Sequence, residues 1–433
     1  MNQKVTPATS LNKTISTKTY AEPQSLSVSK VRDLISQSIQ PIHAIENLPV
    51  QQALGRVLAE DIVSGINVPA HNNSAMDGYA FAGKTLSDVE ETNFSVIGKA
   101  FAGRAFQGVV AAGECVRIMT GAVMPDGCDT VIPLEVVAKV SDVCIHIAPG
   151  SVKPGSNRRM AGEDLAIGKI ALRHSKILRP ADLGLMASLG IATVPVQRRL
   201  RVAFFSTGDE LRSVDQPLDA GCIYDSNRYT LHAMLTELDC DLIDMGLVKD
   251  DTVTLEASFR KACEGADVVI TTGGVSVGDA DYIRQTMAQL GDVAFWSVAM
   301  RPGRPMAFGK IYSNGKSAYV FGLPGNPVAV MVSFYFFVKQ ALQQLQGAEH
   351  VPPLMLKANS KQVIKKRSGR TEFQRGIAET NAAGELEVSI TGSQGSGILR
   401  SMSEANCFII LEHDQEQVNA GDKVMLTLFD GLR

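Results

Sequence analysis

The chain has 433 residues, more than one core normally serves, so about two to four domains are expected. Its formal net charge of −3, without lysine- or arginine-rich runs, speaks against nucleic acid and membrane-surface partners, and no apolar run looks long enough to span a bilayer. The seven cysteines are scattered without a C-x-x-C pair and the seven histidines without an H-x-x-x-H spacing, the pattern of reduced thiols in a cytoplasmic protein with no zinc site.

Residues 1–25 are polar, rich in Ser and Thr, and read as a disordered tail without a signal core. Val31, Leu34, Ile35 and Ile39 then mark an amphipathic helix stopped by Pro41, and Val50, Leu54, Val57 and Leu58 a second one opened by Pro49. The run from Asn67 to Ala80 has no clean period and ends in the turn signal Asp77-Gly78; an ordered functional loop and a structural turn are both open there. From Phe94 to Leu172 short alternating segments broken by glycine indicate a β domain, in which a strand ends at Thr120-Gly121. Arg158 and Arg159 beside Glu163 and Asp164 read, taken alone, as a solvated mixed-charge loop. Leu178 to Ile191 returns to helix, with Pro180 at its start and Gly190 at its end.

From Arg199 onward strands and helices alternate. Apolar runs Arg201–Phe205, Asp241–Val248, Val268–Ile270, Asp292–Met300 and Tyr319–Gly322 are separated by helical patterns, the signature of a doubly wound α/β sheet. Ligands bind such sheets beyond the carboxyl ends of the strands. That reasoning gathers Asp209, Glu210, Asp250, Asp251, Asp279, Asp281, Arg301, Arg304 and Asn326 on one rim. The stretch Thr271 to Asp281, with Gly273, Gly274 and Ser276, reads either as a tight strand-to-helix turn with an Asp cap or as a phosphate cradle. After Pro352 alternation resumes, so a small all-β domain closes the chain, with Gly392–Gly397 as a flexible hairpin.

Carboxylates converging with arginines at a glycine-rich turn need a ligand to balance their charge. Mg²⁺ takes one or two carboxylates together with phosphate oxygens, and arginines grip oxyanions through paired donors. Thr207-Gly208-Asp209-Glu210 is not the G-x-G-x-x-G of a dinucleotide fold. The residues themselves point to a Mg²⁺-dependent enzyme acting on a phosphate-bearing small molecule.

In order along the chain stand Ser74-Ala75-Met76-Asp77-Gly78-Tyr79-Ala80, Arg159 with Gly162-Glu163-Asp164, Ser206 to Leu211, Thr272 to Gly278 with Asp281, Pro302-Gly303-Arg304-Pro305, and Leu323-Pro324-Gly325-Asn326-Pro327. This ordered series resembles the molybdopterin molybdenumtransferases, seen also as the E domain of gephyrin, from about Leu26 to the C-terminus. The resemblance implies a discontinuous helical linker domain (26–66 and 167–198), an inserted β domain (67–166), a molybdopterin-binding α/β domain (199–348) and a C-terminal β domain (349–433). It implies a homodimer that takes adenylylated molybdopterin, supplied by a molybdopterin adenylyltransferase, and molybdate, and that releases molybdenum cofactor and AMP with Mg²⁺. By resemblance Glu210 and Asp281 would lie at the metal, with Asp250 or Asp251 nearby, and Arg301 and Arg304 would hold the oxyanion. Asp77, Thr120, Arg159, Asp164 and Ser396 would complete the cleft, some from the partner subunit. Two departures stand out: the family often has Lys at 301 and 304, and Phe-Asp where His71-Asn72 stand here. The other reading to set beside an enzyme is a gephyrin-like scaffold or cofactor carrier without turnover.

Overall fold

The computed structural model describes residues 25–141, 143–274 and 282–429. The chain divides into two compact units. One comprises Asn47–Leu54 and Leu58–Val196, and the other holds the remaining described residues.

The first unit is built on a six-stranded sheet in the order Thr130–Pro133, Gly78–Phe81, Glu114–Ile118, Thr92–Ala100, Cys144–Ile147, Lys139–Val140. Side chains alternate across a strand, so Ala80, Val116 and Ile118 enter one apolar cluster while Tyr79, Phe81 and Cys115 enter another on the opposite face. Burial on both faces makes Gly78–Phe81 an interior strand and holds the Asp77 turn at its end. A third cluster gathers Val50, Leu58, Met186 and Val194 around the helix Pro180–Ser188. The helix expected over Val50 to Leu58 is corrected: Val50–Gln52 makes one 3₁₀ turn. Gly55, at φ +78°, turns the chain out of it. Val50 and Leu58 enter this cluster without a helix, Val57 is buried outside it, and Leu54 is exposed.

In the second unit helix α1 spans Val28–Ser38 and buries Val28, Val31 and Ile35. Strand β1 (Arg201–Thr207), helix α2 (Ser226–Glu237), β2 (Asp241–Val248), α3 (Thr252–Gly265), β3 (Val268–Thr272), α4 (Tyr282–Leu290), β4 (Gly291–Ser297), β5 (Pro305–Ser313), β6 (Lys316–Leu323) and α5 (Pro327–Leu345) follow. The sheet order is β2-β1-β3-β6-β5-β4. Pairing is parallel from β2 to β6, and only β5 runs the other way, antiparallel to both β6 and β4. The sheet is therefore mixed at one edge. Phe204, Ile270 and Phe321 face a cluster with α1, α2 and α5, while Phe205, Val269 and Val320 face one with α3 and α4. Helices thus cover both faces, as expected from strands that read as continuous apolar runs.

Helix α5 corrects a second expectation. By length and composition it could cross a membrane, yet 67 % of its apolar window is buried inside the protein, and it serves as a core helix. It carries a π turn over Phe334–Val338.

The C-terminal strands Thr371–Thr380, Leu386–Ile390, Leu356–Ser360, Lys423–Leu428 and Cys407–Leu411 pair in that order and close when the last pairs with the first. Closure removes free edges. Met300–Arg301 pairs in parallel with Thr371–Glu372, tying the Arg301 loop of the α/β sheet to this barrel.

Candidate active site

Since β5 is reversed, the carboxyl ends of β1, β2, β3, β4 and β6 and the amino end of β5 share one rim. A cleft of about 930 Å³ lies there. Glu210, Asp250, Gly273, Gly274, Arg301, Arg304, Asn326 and Ser396 all line it, so the structure brings together most of the residues expected at the rim.

Each is positioned by a local device. Gly208, at φ +153°, lets Glu210 fold back, its Oε2 only 2.6 Å from where a Cβ on Gly208 would stand. Gly273, at φ +93°, leaves no room for a Cβ against the Thr207 carbonyl, so β1 and β3 end in close contact. Asn326 precedes α5 without its side chain capping the helix, which leaves its amide to the cleft. Arg304 donates from Nε to Ser297 Oγ at 2.9 Å. Arg301 is half exposed, with its Nη1 4.0 Å from the buried Glu372.

Asp250 has its carboxyl pushed up, first by burial and then by the neighbouring charges of Asp209, Glu210 and Asp251. Its Oδ1 is buried without a partner among the described residues, as are Thr207 Oγ1 and Asn227 Oδ1. Asp251 lies elsewhere. It caps α3, accepting from Thr254 N at 2.9 Å and Thr254 Oγ1 at 2.8 Å. Ser276, Asp279 and Asp281 lie outside the described residues.

Asp77, Thr120, Arg159 and Asp164 belong to the first unit and are not among the residues lining this cleft. Asp77 and Thr120 are bonded to one another. Arg159 pairs in backbone register with Asn73, and Asp164 donates its N–H to the Val68 carbonyl, so both flank the Asn67–Ala80 loop.

Sequence reasoning missed Asn227, whose Nδ2 donates to Thr272 Oγ1 at 2.9 Å and Gly325 O at 2.7 Å across three rim loops. It also missed two barrel arginines. Arg370 lines the cleft. Arg375 is 1 % exposed, donates to Ser401 Oγ and Gly395 O, and lines a neighbouring hollow of about 280 Å³ with Arg301, Lys365 and Gln394. Burial, aided by the charge of Arg301, pulls its pKa down to about 10. In a strand buried continuously from Thr371 to Gly376, nothing in the local pattern marks Arg375 as a buried cation.

Charge at this rim is therefore divided: carboxylates beyond β1 and β2, guanidinium groups beyond β4 and in the barrel, and a glycine turn between them. Among the described residues no group of three or more His, Cys, Asp or Glu side chains is arranged to hold a metal. Such a distribution suits a ligand that carries its own anionic oxygens, with one or two protein carboxylates sharing a hard cation.

Three family models match in succession: the MoeA N-terminal region (domains I and II) over residues 26–190, a probable molybdopterin binding domain over 203–344, and the MoeA C-terminal region (domain IV) over 357–429. The chain is 44 % identical to a molybdopterin molybdenumtransferase of Haemophilus influenzae, covering 89 % of this chain and 94 % of that protein. It is 36 % identical to one from Nostoc, covering 86 % of each chain. The crystal structure of the molybdopterin biosynthesis moeA protein of Pyrococcus horikoshii superimposes with a TM-score of 0.80 at 30 % identity, covering 94 % of this chain and 100 % of that one. With all three regions in order and near-complete coverage, the chain belongs to the molybdopterin molybdenumtransferase (MoeA) family.

Proposed function

We propose that this protein is a molybdopterin molybdenumtransferase, inserting molybdenum from molybdate into adenylylated molybdopterin and giving molybdenum cofactor and AMP. The observation that carries the chemistry is the single cleft in which the Glu210 and Asp250 carboxylates face Arg301, Arg304 and Arg370 across the Gly273-Gly274 turn. A phosphoanhydride and an oxyanion are the two anionic parts that such a cleft must hold.

Arg301 and Arg304, with Arg375 behind Arg301, hold the oxyanion; guanidinium groups stay charged and offer fixed pairs of donors. The backbone at Gly273-Gly274 and the Asn326 amide orient the phosphates, and Ser396 borders the same space. The orphaned oxygen of Asp250, and the repulsion among Asp209, Glu210, Asp250 and Asp251, fit a divalent cation. Glu210 and Asp281 would hold Mg²⁺, with Asp250 beside them. When bound, it neutralises charge on the departing AMP. The dithiolene sulfurs belong to the substrate, so no protein cysteine is needed at molybdenum.

The enzyme acts as a homodimer in which Asp77, Thr120, Arg159 and Asp164 of a second subunit complete the cleft. A molybdopterin adenylyltransferase delivers the substrate, and the work is done in the cytoplasm, in keeping with seven free cysteines. Purified protein given Mg²⁺, molybdate and adenylylated molybdopterin should release AMP and yield active cofactor. Absence of AMP release under those conditions sinks the enzyme reading.

A further inference from the structure

We propose that Tyr224, backed by Ile223, is the stacking platform for the purine of the adenylylated substrate, at the end of the cleft opposite the arginines. This inference rests on the reading above.

The order of the strands orders the subsites. Along the rim, Asp250 follows β2, Glu210 and Tyr224 lie between β1 and α2, Gly273 follows β3, Asn326 follows β6, and Arg301 and Arg304 lie between β4 and β5. Neighbouring strands are about 4.8 Å apart, so the two ends of a six-stranded rim are separated by about 24 Å. The substrate is equally polar in its layout: a dithiolene on the pterin at one end, adenosine at the other, two phosphates between. If the oxyanion is gripped at the arginine end, the dithiolene must be there too. The nucleoside then falls at the β1–β2 end.

That end has what a nucleoside needs. Tyr224 is the only aromatic residue lining the cleft among the described residues. It is 42 % exposed, and its neighbour Ile223 57 %, and both border the cleft, so the ring is open to a ligand there. Their backbone is fixed: Leu211 and Arg212 pair in parallel with Ile223 and Tyr224, and the Ile223 N–H donates to the Glu210 carbonyl at 2.9 Å. An exposed ring on a fixed backbone can stack on a heterocycle with little loss of freedom.

Polar atoms nearby lack partners in the manner this ligand would correct. Asn227 spends both amide donations on Thr272 and Gly325, leaving Oδ1 buried and unpaired. Thr207 Oγ1 is likewise unpaired at 3 % exposure. Both residues line the cleft and can meet amine or hydroxyl donors of adenosine.

The test is calorimetric titration of the full-length protein with AMP and with ribose 5-phosphate, in Mg²⁺, for the parent, Tyr224→Ala and Tyr224→Phe. Loss of a stacked base should weaken AMP binding about tenfold or more in Tyr224→Ala, with Tyr224→Phe near the parent. Ribose 5-phosphate, having no base, should bind all three alike. Unchanged AMP affinity in Tyr224→Ala overturns the proposal, as does an equal loss for ribose 5-phosphate. A raised KM for adenylylated molybdopterin with intact AMP affinity also overturns it, because the ring would then lie under the pterin. Tyr224-dependent AMP binding by a protein that releases no AMP from its substrate would retain this subsite while the enzymatic reading fell.

Discussion

Thr120 holds Asp77 by two bonds to a single oxygen: the backbone N–H reaches Asp77 Oδ1 at 2.7 Å and the hydroxyl reaches it at 2.6 Å. The hydroxyl first, then the N–H, keep the Asp77 carboxyl below the usual carboxylate range. A depressed folded pKa contributes stability that is present above the unfolded value of about 3.9 and is lost as pH falls through the folded value. Thr120→Ala should therefore melt below the parent at pH 7, with the gap closing as pH is taken below about 4. Chemical denaturation at both pH values checks this. A gap that stays constant with pH removes the carboxylate from the account.

If Asp77 serves a second subunit's cleft, two inactive variants should rescue each other. Asp77→Asn and Glu210→Gln homodimers should each lose most turnover while keeping the parent's fold. Refolded together, the mixed dimers contain one intact cleft, so about a quarter of parental activity should return by mass-action mixing. No recovery in the mixture, with mixed dimers verified by mass spectrometry, would mean that the two residues act in the same subunit's site or not at all.

Under the proposed function, Asp250 would trade stability for ligand binding. Its raised carboxyl pKa gives the opposite sign from Asp77: stability falls as pH rises from the unfolded value toward the folded one, and at neutral pH the charge is a burden. Without Mg²⁺, Asp250→Asn should melt slightly higher, by about 1–2 °C given the partial exposure. Added Mg²⁺ should raise the parent's melting temperature more than the variant's. Melting curves with and without Mg²⁺ decide the matter, and an equal Mg²⁺ response in both proteins counts against Asp250.

At Gly273 the prediction is steric. An alanine there would drive its Cβ into the Thr207 carbonyl at a backbone angle that favours glycine. We expect a destabilisation of about 2–4 kcal/mol together with weaker AMP binding. Gly113, also at positive φ but with open space around it, is the control: alanine there should cost only about 1 kcal/mol.

The arginines can be separated from their charge. Arg304→Lys cannot reproduce the planar donor set that now engages Ser297, but it keeps the cation. Its KM for molybdate should rise only a few-fold, about two to five, whereas Arg304→Ala and Arg301→Ala should raise it at least about tenfold. Steady-state kinetics with molybdate as the varied substrate provide the comparison. Equal effects of Lys and Ala would show that charge is not what Arg304 supplies.

The α/β unit was legible because buried strands such as Val268–Thr272 read as apolar runs, and because ligand loops in such sheets fall on a rim fixed by topology. Glu210, Asp250, Arg301, Arg304 and Asn326 could be grouped by that rule alone. Two things were not legible. Val50, Leu54, Val57 and Leu58 have helical spacing, but Gly55 breaks the helix, and spacing alone cannot tell which neighbours supply burial. Arg375 stands in a strand whose residues Thr371 to Gly376 are all buried, so its role depends on a barrel closing around it, a long-range event that local pattern does not encode.

Strands β4 and β5 pair without interruption from Gly291↔Ile311 to Ser297↔Pro305. A slip of one residue would exchange their inward and outward faces, moving Trp296 and Phe308 out of the core and dragging Arg304 from its Ser297 anchor. Length changes among relatives should therefore be filtered out of the Val298–Arg304 connection and accumulate in the exposed Ser213–Cys222 segment. Under that constraint, residue exchange such as arginine for lysine is the variation left open to the cationic end of the cleft.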